Sequence, residues 1–356
     1  MRSLIVDSGL SQAAFSADLG LDPTKLSKSL SGARRFTSVE LAQIADRCSV
    51  TVDWILTGEE PLMATAARAF AGSSPERAVA EAARLVELRE SAARLGYPQE
   101  WRPVPLRTSR TLAYEQGTDL AAEASARLAA LGLDVVTPDL AGLIEAAFGA
   151  DVAITSLGDG FDGLAASTPK AKVIVVAVSA VPYRQRFTLA HELGHLLSGD
   201  DQGIHADEDI YSASGRKDPS EIRANAFAAA FLMPEHLLRG AVTPGFSGQD
   251  FAALAVRLLV SPAALAYRLE NLRLIDAMAS AQCKSMTAKE AARQARAPAS
   301  IGSATAYATE PRIPSLLARD LFTAYLDEKT TLRPYASLLS VDAERLRQDL
   351  EREGES

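Results

Sequence analysis

Apolar positions recur along this chain with two different periods, and the change of period divides it. In residues 1–58, Leu10, Phe15, Leu19, Leu26, Leu30, Leu41, Ile44 and Ile55 fall at helical spacings broken by Gly20, Gly32 and Gly58. That pattern predicts short helices and tight turns closing a small core. Ser11 stands at an N-cap, Gly20 ends that helix, and Asp22-Pro23 supplies a cap and a first-turn proline for the next. Thr37 or Ser38 caps a helix reaching about Cys48, and Thr51 starts a last one that stops at Gly58, which makes five helices in all. From Glu59 to Ser74 the pattern dissolves into Ala, Thr, Ser and Gly, the signature of a linker. A connecting helix is expected from Ser74 to about Leu95, ended by Gly96, and Pro98, Pro103 and Pro105 keep the following stretch extended to Thr111.

Residues 117–130 and 138–148 read as amphipathic helices, after which the period falls toward two. DVAITS, FDGLAAS and KVIVVAV predict three short strands. Helices follow at about 183–198, 219–232, 234–241, 248–258 and 261–274. Because the strands come as a run and do not alternate with helices, the fold class is α+β, mostly helical, with a small sheet. After Ala277 the composition loosens to about Pro311, and SLLARDLFTAYLDEK and VDAERLRQDLERE then predict two more helices, the last charged and solvent-facing. Four segments result: 1–58, a helical unit; 59–111, linker and connecting helix; 112–277, the α+β domain with the small sheet; and 278–356, a loosely ordered linker and helical C-terminal region.

At 356 residues the chain is long enough for two or three such units. Its two cysteines, Cys48 and Cys283, lie far apart and offer neither a disulfide framework nor a cysteine zinc site. No apolar run reaches the length of a membrane span, and the start of the chain lacks a signal-peptide pattern, so a cytoplasmic protein without membrane contact is expected. A net charge of −8 means that any nucleic-acid contact must come from a local patch.

The chemistry is concentrated in RFTLAHELGHLL. His191 and His195 are four residues apart, so on a helix both imidazoles project from one face and can share a metal ion. Two neutral imidazoles and a carboxylate suit zinc and leave a fourth position for water, whose pKa the ion lowers toward about 7. Glu192 is placed to take the water's proton and pass it to a leaving amine, the role of a catalytic base. Only four histidines occur in the chain, which makes this spacing around a Glu an improbable accident. Phe187, Leu189, Leu193 and Leu196 are expected to pack the rear of the helix, and Gly194 to admit a neighbouring strand or a substrate. For the third ligand there are two choices. Asp201 occupies the ligand position of the metzincin pattern, but Ser198 stands where that pattern has glycine; Glu221, on the predicted helix EIRANAFAAAFLMP, is the better candidate because a carboxylate from a second helix completes a two-histidine site. His205 and Tyr211 are possible transition-state or substrate contacts, and His236 is expected at the surface.

The strings RQRFTLAHELGHLL and EIRANAFAAAFLMP, with VIVVAV before them and LLVSPAALAYRLENLRLI after, resemble the ImmA/IrrE metallopeptidase family across roughly residues 115–276. The resemblance implies a zincin-like fold in which His191, His195 and Glu221 bind Zn(2+) and Glu192 is catalytic. It also implies cleavage of a repressor-like partner encoded nearby, releasing stress-response or mobile-element genes. LSQAAFSADLGLDPTKLSKSLSGARRFTSVELAQIADRCSVTVDWILTGE resembles the XRE (Cro/C1-type) helix-turn-helix family. That resemblance implies operator DNA as a partner, with the helix starting near Pro23 in the major groove. Thr24, Lys25, Ser27, Lys28 and Ser29 would reach base edges, and Gln12, Arg34 and Arg35 would hold phosphates. Residues 1–58 carry six basic side chains (Arg2, Lys25, Lys28, Arg34, Arg35, Arg47) against six acidic ones (Asp7, Asp18, Asp22, Glu40, Asp46, Asp53). Useful affinity therefore calls for a homodimer reading two half-sites or recruitment by a protein.

Two functions follow. The first is a DNA-binding transcriptional regulator fused to a zinc metalloendopeptidase. The second is a transcriptional repressor or antitoxin of a toxin-antitoxin pair, in which the peptidase fold serves mainly as a sensing or docking module for the toxin.

Overall fold

Polar caps delimit the helices of the N-terminal unit. Ser11 Oγ accepts from the Ala14 amide at 3.2 Å and starts α1 (Gln12–Asp18). Asp22 Oδ1 accepts from the Thr24 and Lys25 amides at 2.8 and 3.0 Å and starts α2 (Pro23–Leu30), with Pro23 in its first turn. Between them Gly20 takes φ +63°, a left-handed conformation available to glycine without a Cβ clash. At the next boundary the Glu40 carboxylate accepts from the Thr37 amide at 2.8 Å while Thr37 Oγ1 accepts from the Glu40 amide at 3.3 Å, a reciprocal cap that opens α3 (Ser38–Arg47). Phe15, Leu19, Leu26 and Ile44 are buried together as the core of this unit. The molecule is a computed structural model that describes residues 5, 8, 10–48, 55, 76–106, 112–158, 161–199, 204–206 and 218–354. The helix expected from Thr51 to Gly58 and the linker after it lie outside these residues, Ile55 excepted. Contacts divide the chain into two units, Met1–Ala69 and Phe70–Ser356.

The second unit is built on a four-stranded sheet. Strands β1 (Asp151–Thr155), β2 (Gly163–Ser167), β3 (Lys172–Ala177) and β4 (Ile204–Ala206) lie in the order β1-β3-β2-β4, with β1 and β3 parallel and the other pairs antiparallel. The three strands expected from the sequence are all present, and β4 adds an edge. One face, carrying Val152, Ile154, Ala165, Ile174 and Val176, shares a core with α5 (Ala113–Ala130), α6 (Leu140–Phe148) and α7 (Pro182–Ser198). The other face is buried too, under α4 (Glu76–Arg94), which packs on β2 and β3. Burial on both faces explains why KVIVVAV is continuously apolar instead of alternating.

Helix α8 (Pro219–Leu232) lies between α5 and α7. Small residues make this possible: a Cβ at Gly117 of α5 would meet the Arg223 carbonyl oxygen of α8 at 2.2 Å. Arg223 Nη1 donates to Gln116 Oε1 at 2.7 Å across the same contact. Helices α9 (Glu235–Ala241), α10 (Gly248–Leu258) and α11 (Pro262–Asn271) complete this side, close to the positions the periodicity gives.

The C-terminal region departs from expectation. Where the composition loosens after Ala277, the chain forms α12 (Ala277–Lys284), α13 (Ala288–Gln294) and α14 (Pro298–Thr309). These are short alanine-rich helices whose apolar faces are too small to register as periodicity, yet Ala291 and Ala292 are buried against Ala252 and Val256 of α10. The chain then extends the sheet: Arg312 exchanges backbone hydrogen bonds with Ile154 at 2.8 and 2.9 Å before α15 (Ser315–Leu326), α16 (Arg333–Leu339) and α17 (Ala343–Gly354). Buried Glu145 ties this return down, accepting from Arg312 Nη2 at 2.6 Å and from the Ser315 amide at 3.0 Å. Beneath the sheet, fully buried Arg89 forms a two-pronged pair with Asp151 at 2.6 and 2.7 Å and reaches Asp320 of α15 at 2.6 Å. The region beyond residue 277 is therefore part of the second unit. Among the described residues no single helix is long and apolar enough to cross a membrane.

Candidate metal centre

Helix α7 starts at Pro182 in its first turn and runs to the left-handed cap at Gly199. Its buried positions include Leu189, Leu193 and Leu196, which face the core of the sheet. His191, Glu192 and His195 are at most 1% exposed. The two imidazoles lie one turn apart, ring centres 4.7 Å apart and planes at 77°, with their Nε2 atoms 3.0 Å from each other.

The third corner comes from α8. Asp218 caps that helix by accepting from the Ser220 amide at 2.8 Å, and Pro219 occupies the first turn. Glu221 follows in the same turn and extends its carboxylate to the histidines, Oε2 at 3.3 Å from His191 Nε2 and Oε1 at 3.2 Å from His195 Nε2. Burial opposes ionisation of Glu221, but hydrogen bonds with His191 and His195 override it and hold the carboxyl well below the usual range. The three donors fit a metal ion: with metal–ligand bonds of about 2.0 Å, the edges of a tetrahedron are about 3.3 Å. The imidazole nitrogens are 3.0 Å apart and each has one Glu221 oxygen at 3.2 or 3.3 Å, Oε1 for His195 and Oε2 for His191, separations close to that edge. Among the described residues this is the one group of three His, Cys, Asp or Glu side chains with ligand atoms gathered closely enough to hold an ion.

Two expectations about neighbouring residues change. Gly194 admits neither strand nor substrate but helix α8: a Cβ there would meet Phe227 Cδ1 at 3.0 Å and Ala224 Cα at 3.3 Å. Phe227 in turn stacks on Phe231, ring centres 5.3 Å apart, so the glycine sets how closely α8 brings Glu221 to the histidines. Phe187 is not at the rear of α7. It precedes His191 by four residues, the same spacing that pairs the two histidines, and its ring lies 6.3 Å from the His191 ring on the cavity side.

The remaining candidates are dispersed. His205 is in β4, its backbone paired with Ala165; Asp201 and Tyr211 lie outside the described residues; His236 is exposed on α9. Arg186, which the sequence did not single out, is buried and pins the loop before α6 by donating to the Val135 carbonyl at 3.0 Å and to the Thr137 carbonyl. In the N-terminal unit Gln12, Thr24, Lys25, Ser27, Lys28 and Arg35 are exposed. Ser29 is buried, and Arg34, which stays partly exposed, pairs with Glu40 at 2.8 Å and donates to Ser29 Oγ at 3.0 Å.

Comparison with known proteins centres on the same helices. Residues 145–270, about a third of the chain, match the family model Peptidase_M78, the IrrE N-terminal-like domain. Over 103 residues the chain is 40% identical to the radiation response metalloprotease IrrE of Deinococcus radiodurans, covering 28% of this chain and 31% of that protein. It is 40% identical over the same length to the IrrE of Deinococcus deserti, covering 37% of that relative. The chain thus spans about a third of the length of the curated relatives it matches. Residues 145–270, holding both helices that bring the three donors together, match an IrrE-like metallopeptidase domain.

Proposed function

We propose that this chain is a zinc-dependent metalloendopeptidase that cuts a repressor-like partner protein, joined to an XRE-type helix-turn-helix unit that localises it on operator DNA. The observation that carries the reading is the convergence of His191 Nε2, His195 Nε2 and the Glu221 carboxylate within 3.3 Å of one another, with buried Glu192 adjoining His191 on the same helix. His191, His195 and Glu221 would hold the zinc, which when bound would supply a Lewis acid for the scissile carbonyl and for a water molecule. Glu192 accepts the proton of that water as its oxygen adds to the carbonyl carbon, then gives the proton to the departing amine as the C–N bond breaks. Glu221 brings the negative charge that the neutral imidazoles lack, and Gly194 keeps it at their distance. The exposed side chains of Thr24, Lys25, Ser27 and Lys28 on α2, with Gln12 and Arg35 beside them, are the proposed DNA-contacting set.

The test is co-expression of the chain, or its Glu192→Gln variant, with the proteins encoded beside it. A neighbour cut by the first and left intact by the second, with zinc retained in both, supports the proposal. If neither form cuts a neighbour while both shift the same promoter fragment, the repressor or antitoxin function takes its place.

A further inference from the structure

Beside the candidate metal centre lies a cavity of about 1010 Å³, walled by α5, α7, α8 and α11. Its size is at the top of the range for small-molecule pockets and gives room for several amino-acid residues. Two of its lining residues belong to the metal-facing helices: Phe187, whose ring lies by His191, and Ile222, next in sequence to Glu221. Whatever fills the cavity therefore lies alongside the reacting centre. Ala229, Met233 and Pro262 continue the lining as an apolar surface.

Arg268 of α11 interrupts that surface. It is 6% exposed, yet it lines the cavity. Its Nε and Nη1 meet the Met233 carbonyl at 3.5 Å and the Tyr114 hydroxyl at 3.4 Å, both at the outer limit of hydrogen bonding. No ion pair with a carboxylate is formed by Arg268 among the described residues, Glu235 acting on it only from beyond ion-pair distance, whereas buried Arg89 has two and cavity-lining Arg184 has Asp162 at 2.6 Å. Arg186 likewise forms no ion pair with a carboxylate among the described residues, but both of its terminal nitrogens donate to backbone carbonyls, those of Thr137 and Val135. A guanidinium stays charged, and its burial is costly unless a counter-charge is supplied. At Arg268 the cavity is where such a charge can enter.

We infer that Arg268 binds an acidic side chain of the polypeptide substrate, within a segment whose flanking residues are bulky and apolar and fill the Phe187–Met233 groove. This inference rests on the hydrolytic reading of the neighbouring donors. It assigns the substrate class: an Asp or Glu set among residues such as Leu, Ile or Phe, close to the scissile bond.

The experiment uses the zinc-loaded full chain carrying Glu192→Gln and a pool of octapeptides, each present as the amide and as the free acid, that differ in having Glu, Gln or Leu at each position among Leu, Phe and Ala. Retained peptides are identified by mass spectrometry. Peptides with one Glu should be retained at least tenfold better than their Gln counterparts, the size expected of a charge-assisted contact. Arg268→Gln should abolish that preference, and Arg268→Lys should keep part of it. Ala264→Trp, which fills the groove from α11, should weaken retention of every peptide. Circular dichroism establishes that each variant is folded. Equal retention of Glu and Gln peptides, a preference that survives Arg268→Gln, or the absence of any retention overturns the inference, and so does a preference for free C-terminal carboxylates over internal Glu. Retention needs no turnover: if the chain with Glu192 intact holds acidic peptides but cuts none, it is the hydrolytic reading that fails.

Discussion

Replacing Gly194 with valine tests whether the contact between α7 and α8 sets the metal geometry. A Cβ at this position lies 3.0 Å from Phe227 Cδ1 and 3.3 Å from Ala224 Cα. Gly194→Ala thus asks for a shift of a few tenths of an ångström, costing up to about 1 kcal/mol, and recovers about 1 kcal/mol of helix propensity. Its net effect should be near zero. Valine adds two further methyl groups against a stacked Phe227–Phe231 pair that cannot retreat into an already buried core. Overpacking of that kind costs about 1–3 kcal/mol. The relief open to it is separation of the helices, which moves Glu221 away from two histidines it meets at 3.2 and 3.3 Å. Zinc affinity should fall about 10- to 100-fold, as when the support of a ligand is disturbed. Chemical unfolding in chelator gives the first quantity, and competition against a chromophoric chelator gives the second. Full zinc affinity in a Gly194→Val protein that has lost stability would refute the argument, because α7 and α8 could then separate without disturbing the donors.

Other perturbations have equally definite outcomes. Arg89→Leu leaves fully buried Asp151 without its counter-charge, while Asp320 keeps Arg319 at 2.8 Å, and should destabilise the second unit by about 3–5 kcal/mol in a urea titration; a loss below 1 kcal/mol would deny the cluster its structural role. In the N-terminal unit, Arg34 and the Thr37 amide hold Glu40 at a pKa of about 2. Because the folded value is depressed, this stabilisation is complete above the ordinary value near 4.5 and is lost as pH falls through about 2. A carboxyl titration by NMR should find Glu40 unprotonated at pH 3.5, and Arg34→Ala should move its midpoint back toward 4.5. If α2 meets DNA, Arg35→Ala should reduce the slope of log affinity against log salt by about 0.9. An unchanged slope would remove Arg35 from the phosphate-contacting set.

Much of the site is legible in the sequence because it depends on local spacing. His191 and His195 share a face by helical period alone, and the caps at Ser11 and Asp22 form within three residues. Glu221 is found at the donors because a small-residue helix that follows an HExxH helix has one polar, metal-competent residue in its first turn. What escapes is non-local or alanine-rich. Gly194 faces Phe227 across a helix interface, and nothing in the flanking residues says which element will approach. Phe187 was legible by its four-residue offset from His191, a signal masked by its apolar character. Arg34 reads as a surface cation, yet Glu40, six residues on, claims it. Helices α12 to α14 bury alanines, whose contribution to any hydrophobic period is slight, and the Glu145–Arg312 tie joins residues 167 apart.

Zinc-edge X-ray absorption of the purified chain tests the central claim most directly, with Glu221→Ala and Glu192→Gln variants measured beside it. The account predicts two imidazole nitrogens and a carboxylate oxygen at about 2.0–2.2 Å plus one further light-atom ligand in the native chain. The same shell should persist in Glu192→Gln, and the carboxylate should disappear in Glu221→Ala. A native spectrum lacking the imidazole pair, or a first shell unaltered by Glu221→Ala, would contradict it.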